Sequence, residues 1–102
     1  MRGTESTTDF TKTEAVSKNG MVATKDRLST EAGLQMLKLG GNAIDAGVAA
    51  CLAVGVVEPE SSGIGGGGYM VFQVGDQGGV IGFPMKGPTG AQADMYELTG
   101  EA

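Results

Sequence analysis

Histidine and tryptophan are both missing from this chain, and lysine and arginine together number only 7 in 102 residues. Each shortage excludes something. Without histidine there is no commonest general base, no commonest metal ligand and no Ser-His-Asp triad within the chain. With 12 Asp+Glu and a net charge of −5, no basic stripe exists to neutralise a phosphate backbone, so nucleic acid is not an expected partner. The single cysteine, Cys51, excludes an intrachain disulfide. It lies inside an apolar helical pattern and reads as a small buried thiol. Long apolar runs are missing too. The longest, Ala46–Val57, falls far short of the roughly 20 residues of a transmembrane helix, so no membrane span is expected. Met1–Thr13 is polar and has no apolar h-region, so it does not read as a signal peptide. Residues 1–13 are expected to form a disordered tail, and the compartment is left open.

Core-forming material is also scarce. Three Phe and two Tyr stand against 19 Gly, and much of the apolar fraction is Ala and Val, which bury little area each. Residues 14–102 are therefore expected to be part of a larger domain that shares its core with further chain.

What is present is ordered. Ala15-Val16 and Met21-Val22-Ala23 flank an Asn19-Gly20 turn signal and predict two short strands. Leu28, Ala32, Met36 and Leu39 recur at helical spacing and predict a helix over Arg27–Leu39, with Asp26 or Ser29 as its N-cap and Gly40-Gly41 as its stop. Asn42 then caps a second helix, Ala43–Val57, with Asp45 in its first turn and Pro59 beyond its end. That helix is apolar nearly all round, which predicts burial on more than one side. Gly47, Cys51 and Gly55 give it a ridge of small side chains suited to close approach. Tyr69–Val74 and Val80–Phe83 read as strands joined by a turn at Asp76–Gly79, and Ala91–Tyr96 as the start of another short element. The order argues for an α+β arrangement without a βαβ crossover.

Between the second helix and the first of these strands runs Ser62-Gly63-Ile64-Gly65-Gly66-Gly67-Gly68-Tyr69-Met70. Four consecutive glycines in an apolar-flanked stretch imply backbone conformations closed to other residues, or something packed directly against the chain. The run formally matches G-x-G-x-x-G. The dinucleotide mechanism, however, needs strand before and helix after, and here the order is inverted. No Lys-Ser/Thr follows, which excludes a P-loop. Gly65, Gly66, Gly67 and Gly68 are accordingly read as structural, a packing device that launches a strand. Thr7-Thr8 lacks the following apolar strand that a threonine nucleophile would need, and Asp94, Glu97 and Glu101 read as solvated surface.

The blocks Asn19–Ala23, Gly40–Ala46, Val57-Glu58-Pro59 and Ile64–Met70, in this order and spacing, resemble the start of the large subunit of the γ-glutamyltranspeptidase family. Asp94-Met95-Tyr96 looks like its continuation, so the resemblance runs from about Ala15 to Tyr96. It implies an N-terminal-nucleophile hydrolase with a four-layer αββα fold, of which this chain is the N-terminal segment. Such proteins are made as precursors that cut themselves into two subunits. The new N-terminal threonine of the small subunit attacks a γ-glutamyl amide, and water or an amino acid then accepts the acyl group. Related members are acylases and amidohydrolases. The chain is several times shorter than a family precursor, so the threonine and the oxyanion-hole glycines are expected outside it. No catalytic residue is therefore expected here, and no activity of the chain alone. The implied partners are the remainder of the large subunit, the small subunit with the nucleophile, and a small-molecule amide. No cofactor and no metal are expected.

One departure bears on substrate. Family transpeptidases carry Asp-Phe-Arg-Glu after the hairpin, and the resemblance gives that arginine the α-carboxylate of the γ-glutamyl group. Anchored on Pro88 and Asp94-Met95, this chain has Gly82-Phe83-Pro84-Met85 there. Phe83, Pro84, Met85 and Lys86 are thus the candidate substrate-binding residues. If the strand continues, Lys86 shares a face with Pro84 and is either a substitute cation or a solvated surface lysine. The expected parent is an amidohydrolase or acylase whose substrate is not a standard γ-glutamyl compound. The alternative is a non-catalytic structural or interaction module on the same scaffold.

Overall fold

The computed structural model describes residues 13–97 and Gly100. Helices α1 (Arg27–Lys38) and α2 (Ala43–Val57) precede strands β1 (Gly68–Val74) and β2 (Gln77–Phe83), an α+β set in the expected order. The expected residues 1–12 of the tail, with Thr7 and Thr8, lie outside the described residues, as does Glu101.

Local chemistry fixes the helix ends. The Asp26 carboxylate accepts from the amides of Leu28 at 2.8 Å and Ser29 at 3.3 Å, which satisfies two of the donors a helix start leaves open. At the other end Gly40 takes φ +91°, closed to most side chains. The Gly41 amide then donates to Met36 at 2.9 Å and the Gly40 amide to Leu37 at 3.1 Å, a Schellman stop. One residue later α2 begins in a capping box. Asn42 Oδ1 accepts from Ile44 and Asp45, and Asp45 Oδ2 accepts from the Asn42 amide at 2.8 Å. Stop and start are thus back to back, and the helices fold into an antiparallel hairpin.

The contact between these helices differs from the sequence expectation. The residues α1 buries are Ser29 and Gly33, and those α2 buries are Ala46 and Ala50. A Cβ placed on Gly33 would lie 3.0 Å from the Ala46 carbonyl oxygen and 2.8 Å from Val22 Cγ1. Helices that approach this closely exclude bulk from the contact line. Leu28 and Leu39, which share the apolar face read from the periodicity, are 59% and 76% exposed. Cys51, expected to be buried, is exposed too, because it lies away from the face that α1 covers.

The predicted N-terminal strand pair does not form; residues 13–24 carry no strand. An Asn-Gly hairpin of type I′ needs positive φ at both central residues. Among the described residues no non-glycine has positive φ, so Asn19 does not supply that turn. Val22 packs against Gly33 instead, and the hydroxyls of Thr24 and Thr30 pair at 2.8 Å beside the start of α1.

The β-hairpin turn falls earlier than predicted, at Gly75-Asp76, because Val74 pairs with Gln77. Gly75 has φ +58° and Asp76 does not have positive φ, the pattern of a type II′ turn. That frees Gly78 and Gly79 to enter β2. Register then sets every hairpin aromatic opposite a glycine: Gly68 with Phe83, Tyr69 with Gly82, Phe72 with Gly79. A Cβ on Gly68, Gly82 or Gly79 would lie 3.1, 3.1 or 2.9 Å from the facing ring, so the rings lie over bare backbone. Met70 and Phe72 are half-buried on one face of the hairpin. The other face is bare: Tyr69, Val71 and Val80 are 81%, 80% and 65% exposed. Ala91–Tyr96 forms turns and no further element. No helix among the described residues is long and apolar enough to cross a membrane.

Candidate functional site

Glu58, at the end of α2, anchors the path to the glycine run. Its carboxylate accepts from Lys25 Nζ at 2.9 Å and from the Ser61 hydroxyl at 3.3 Å. Its carbonyl accepts from the amides of Ser61 at 3.2 Å and Ser62 at 3.0 Å. The chain thereby turns back along α2. A Cβ on Gly55 would lie 3.5 Å from Gly63 Cα, so the far end of the Gly47–Cys51–Gly55 ridge receives this loop.

The four glycines then separate by environment. None of Gly65–Gly68 has positive φ, so the run is not there for left-handed backbone. A Cβ on Gly65 would meet nothing within 4 Å, and one on Gly66 would meet only the Gly63 carbonyl, at 3.6 Å. A Cβ on Gly68 would touch the Phe83 ring at 3.1 Å. At Gly67 it would meet the Met85 amide nitrogen at 2.6 Å, the Phe83 carbonyl oxygen at 2.9 Å and Met85 Cγ at 3.0 Å. Gly67 therefore lies backbone to backbone against the candidate substrate segment.

An open cleft of about 690 Å³ lies beside this contact, between the C-terminal half of α2 and the glycine loop. Its walls include Cys51, Leu52, Val56, Ile64, Tyr69 and Phe83. Among the described residues no charged side chain lines it. Such a surface suits apolar groups.

Phe83 is the last residue of β2 and reaches the cleft; Pro84, Met85 and Lys86 leave the strand and do not line it. Pro84 cannot donate a ladder hydrogen bond, and the sheet ends before it. The two-residue strand spacing that related Lys86 to Pro84 thus does not apply. Met85 is exposed beside Gly67, and Lys86 is exposed and makes neither of the two ion pairs among the described residues. Asp94 and Glu97 are exposed surface residues. The sequence signalled that the glycine run met something. It did not show that of the four glycines Gly67 alone meets the backbone of the Phe83–Met85 segment, nor that Lys25 and Glu58 tie the loop down.

The chain is similar to a glutathione hydrolase proenzyme from Bacillus subtilis subsp. natto, 48% identical over 83 residues, covering 79% of this chain and 14% of that protein. It is also similar to the acylase ACY 1 proenzyme of Pseudomonas sp. (strain V22), 46% identical over 92 residues, covering 87% and 16%. The chain thus spans about one seventh of the length of the curated relatives it matches. Among solved structures, the gamma-glutamyltranspeptidase of Pseudomonas nitroreducens complexed with L-DON matches with TM-score 0.67 and 33% identity, over 82% of this chain and 25% of that one. The Bacillus anthracis transpeptidase CapD matches with TM-score 0.65 and 36% identity, over 72% and 26%. The family model described as gamma-glutamyltranspeptidase matches residues 29–102, and with the two capped helices and the glycine-launched hairpin superposing on solved members, this chain belongs to the gamma-glutamyltranspeptidase family.

Proposed function

We propose that this chain is the N-terminal part of the large subunit of a self-processing amide hydrolase or acyltransferase, and that Phe83–Lys86 contributes to a donor site that does not need an α-carboxylate. The threonine nucleophile comes from another segment of the full-length protein. The observation that carries the reading is the pair Pro84-Met85 where the resemblance expects arginine and glutamate. Proline has neither charge nor donor, whereas an arginine–carboxylate pair is bidentate and charge-assisted. Among the described residues the cleft beside Phe83 has no charged lining, which suits an apolar acyl group.

Two p-nitroanilides test this on purified full-length protein: γ-glutamyl and 4-aminobutyryl, which lacks only the α-carboxylate. The expected kcat/KM values agree within about tenfold. A preference of about 100-fold or more for the γ-glutamyl donor, the size of a desolvated charge pair, overturns the reading. If that preference disappears in Lys86→Ala, Lys86 is the substitute cation; if it survives, another segment binds the carboxylate. Mass spectrometry of the product is expected to show two chains, the shorter beginning with threonine. A single uncut chain without amidase activity supports the scaffold-only alternative.

A further inference from the structure

We infer that Gly67 is a positioning residue for acyl-donor binding: its missing side chain sets where the Phe83–Met85 backbone runs. This rests on the donor-site reading above. Of the four consecutive glycines, Gly67 alone faces backbone atoms of another segment at less than 3 Å from an added Cβ. A side chain swings away from a methyl group, but a peptide unit does not. Ordinary contact begins near 3.4 Å and the Met85 amide nitrogen would lie at 2.6 Å, so a methyl at Gly67 displaces it by about 0.8 Å.

Neither side relaxes easily. The glycine loop is held to α2 through Glu58, Lys25 and Ser61, and through the close approach of Gly63 to Gly55. Sliding β2 along β1 would take Phe83 off Gly68 and Tyr69 off Gly82, and a one-residue slip turns each side chain to the opposite face. What remains free to move is the segment beyond the ladder, Pro84 to Lys86. A shift of about 1 Å in a binding segment is enough to lose on the order of 100-fold in kcat/KM.

The run supplies its own control. A methyl at Gly65 meets nothing within 4 Å, whereas at Gly68 it presses the Phe83 ring at 3.1 Å and so pushes the same segment more weakly. In the full-length protein, donor KM and kcat are measured with 4-aminobutyryl-p-nitroanilide for Gly65→Ala, Gly67→Ala, Gly68→Ala and Met85→Ala. Gly67→Ala is expected to raise donor KM by about 10- to 100-fold with kcat within about threefold, while Gly65→Ala leaves both unchanged. A fall in kcat at unchanged KM overturns the inference, since that is lost active enzyme and not a moved binding segment. If Met85→Ala raises donor KM and Gly67→Ala does not, positioning fails and the donor-site reading stands. If neither does, both fail. Should Gly67→Ala not mature, Gly68→Ala decides. A rise of about threefold in KM supports positioning through Phe83, and an unchanged KM overturns it.

Discussion

Between α1 and α2 the contact is made by the smallest side chains of both helices. Between β1 and β2 the smallest residues lie beneath the largest. In the first region Gly33 lets the backbone of one helix reach the carbonyl of Ala46 on the other. In the second, Gly68, Gly79 and Gly82 give the rings of Phe83, Phe72 and Tyr69 a flat surface to lie on. The same residue type thus acts as a spacer in one place and as a platform in the other. The helical pair encloses its own small contact line with Ala46 and Ala50. The hairpin covers its glycines but leaves the apolar face of Tyr69, Val71 and Val80 open, and a two-stranded sheet is marginal by itself. The helical pair is not closed on its outer side either, since Leu52 and Val56 of α2 are 58% and 80% exposed, so the two regions differ in how their contact is made and not in whether apolar surface stays open.

Val71 sits at the centre of that open face, paired with Val80. Val71→Asp is the largest effect expected. If the remainder of the full-length protein covers the face, the carboxylate is buried without a partner and the loss is about 3–5 kcal/mol, read as failed maturation and insoluble product. A change within about 0.5 kcal/mol, as for an ordinary surface position, would show that the face stays open in the full-length protein.

Gly33→Ala tests the other region. The methyl would lie 2.8 Å from Val22 Cγ1 and 3.0 Å from the Ala46 oxygen. Val22 can rotate, but the carbonyl belongs to a helix and cannot. The expected loss is about 1–3 kcal/mol in chemical denaturation of the full-length protein, despite the better helix propensity of alanine. A stabilised variant would mean that the helices are not in backbone contact.

The two regions were not equally legible. The bounds of α2 could be read to the residue, because Asn42, Asp45 and Pro59 are local signals with local partners. The buried face of α1 could not. Leu28 and Leu39 follow helical periodicity, but how close α2 comes is a tertiary fact, and it favours Ser29 and Gly33. The hairpin was legible as two strands, yet its turn moved to Gly75-Asp76. Sequence offered several glycines, and only the left-handed φ at Gly75 together with the aromatic–glycine register selects one. The candidate site was legible as a departure from a family pattern at Pro84 and Met85. The contact that ties it to Gly67 links residues far apart in sequence, and no local pattern encodes it.

Ser29 gives the smallest expected effect and the finest test of the helical contact. It is fully buried, and its hydroxyl has no hydrogen-bond partner. A serine in a helix often returns its hydroxyl to a carbonyl one turn earlier, but here the Asp26 carbonyl is used by the amide and hydroxyl of Thr30. Ser29→Ala removes one unsatisfied oxygen, opens a space smaller than a methyl group, and improves helix propensity. The expected outcome is a gain of about 0.5–1 kcal/mol in the same denaturation experiment, opposite in sign to Gly33→Ala one turn away. Opposite signs at positions 29 and 33 would establish that the contact line is limited by backbone approach and not by polarity. A loss at Ser29 would instead show that its hydroxyl is hydrogen-bonded within the helical pair, and that polarity as well as backbone approach sets the contact line.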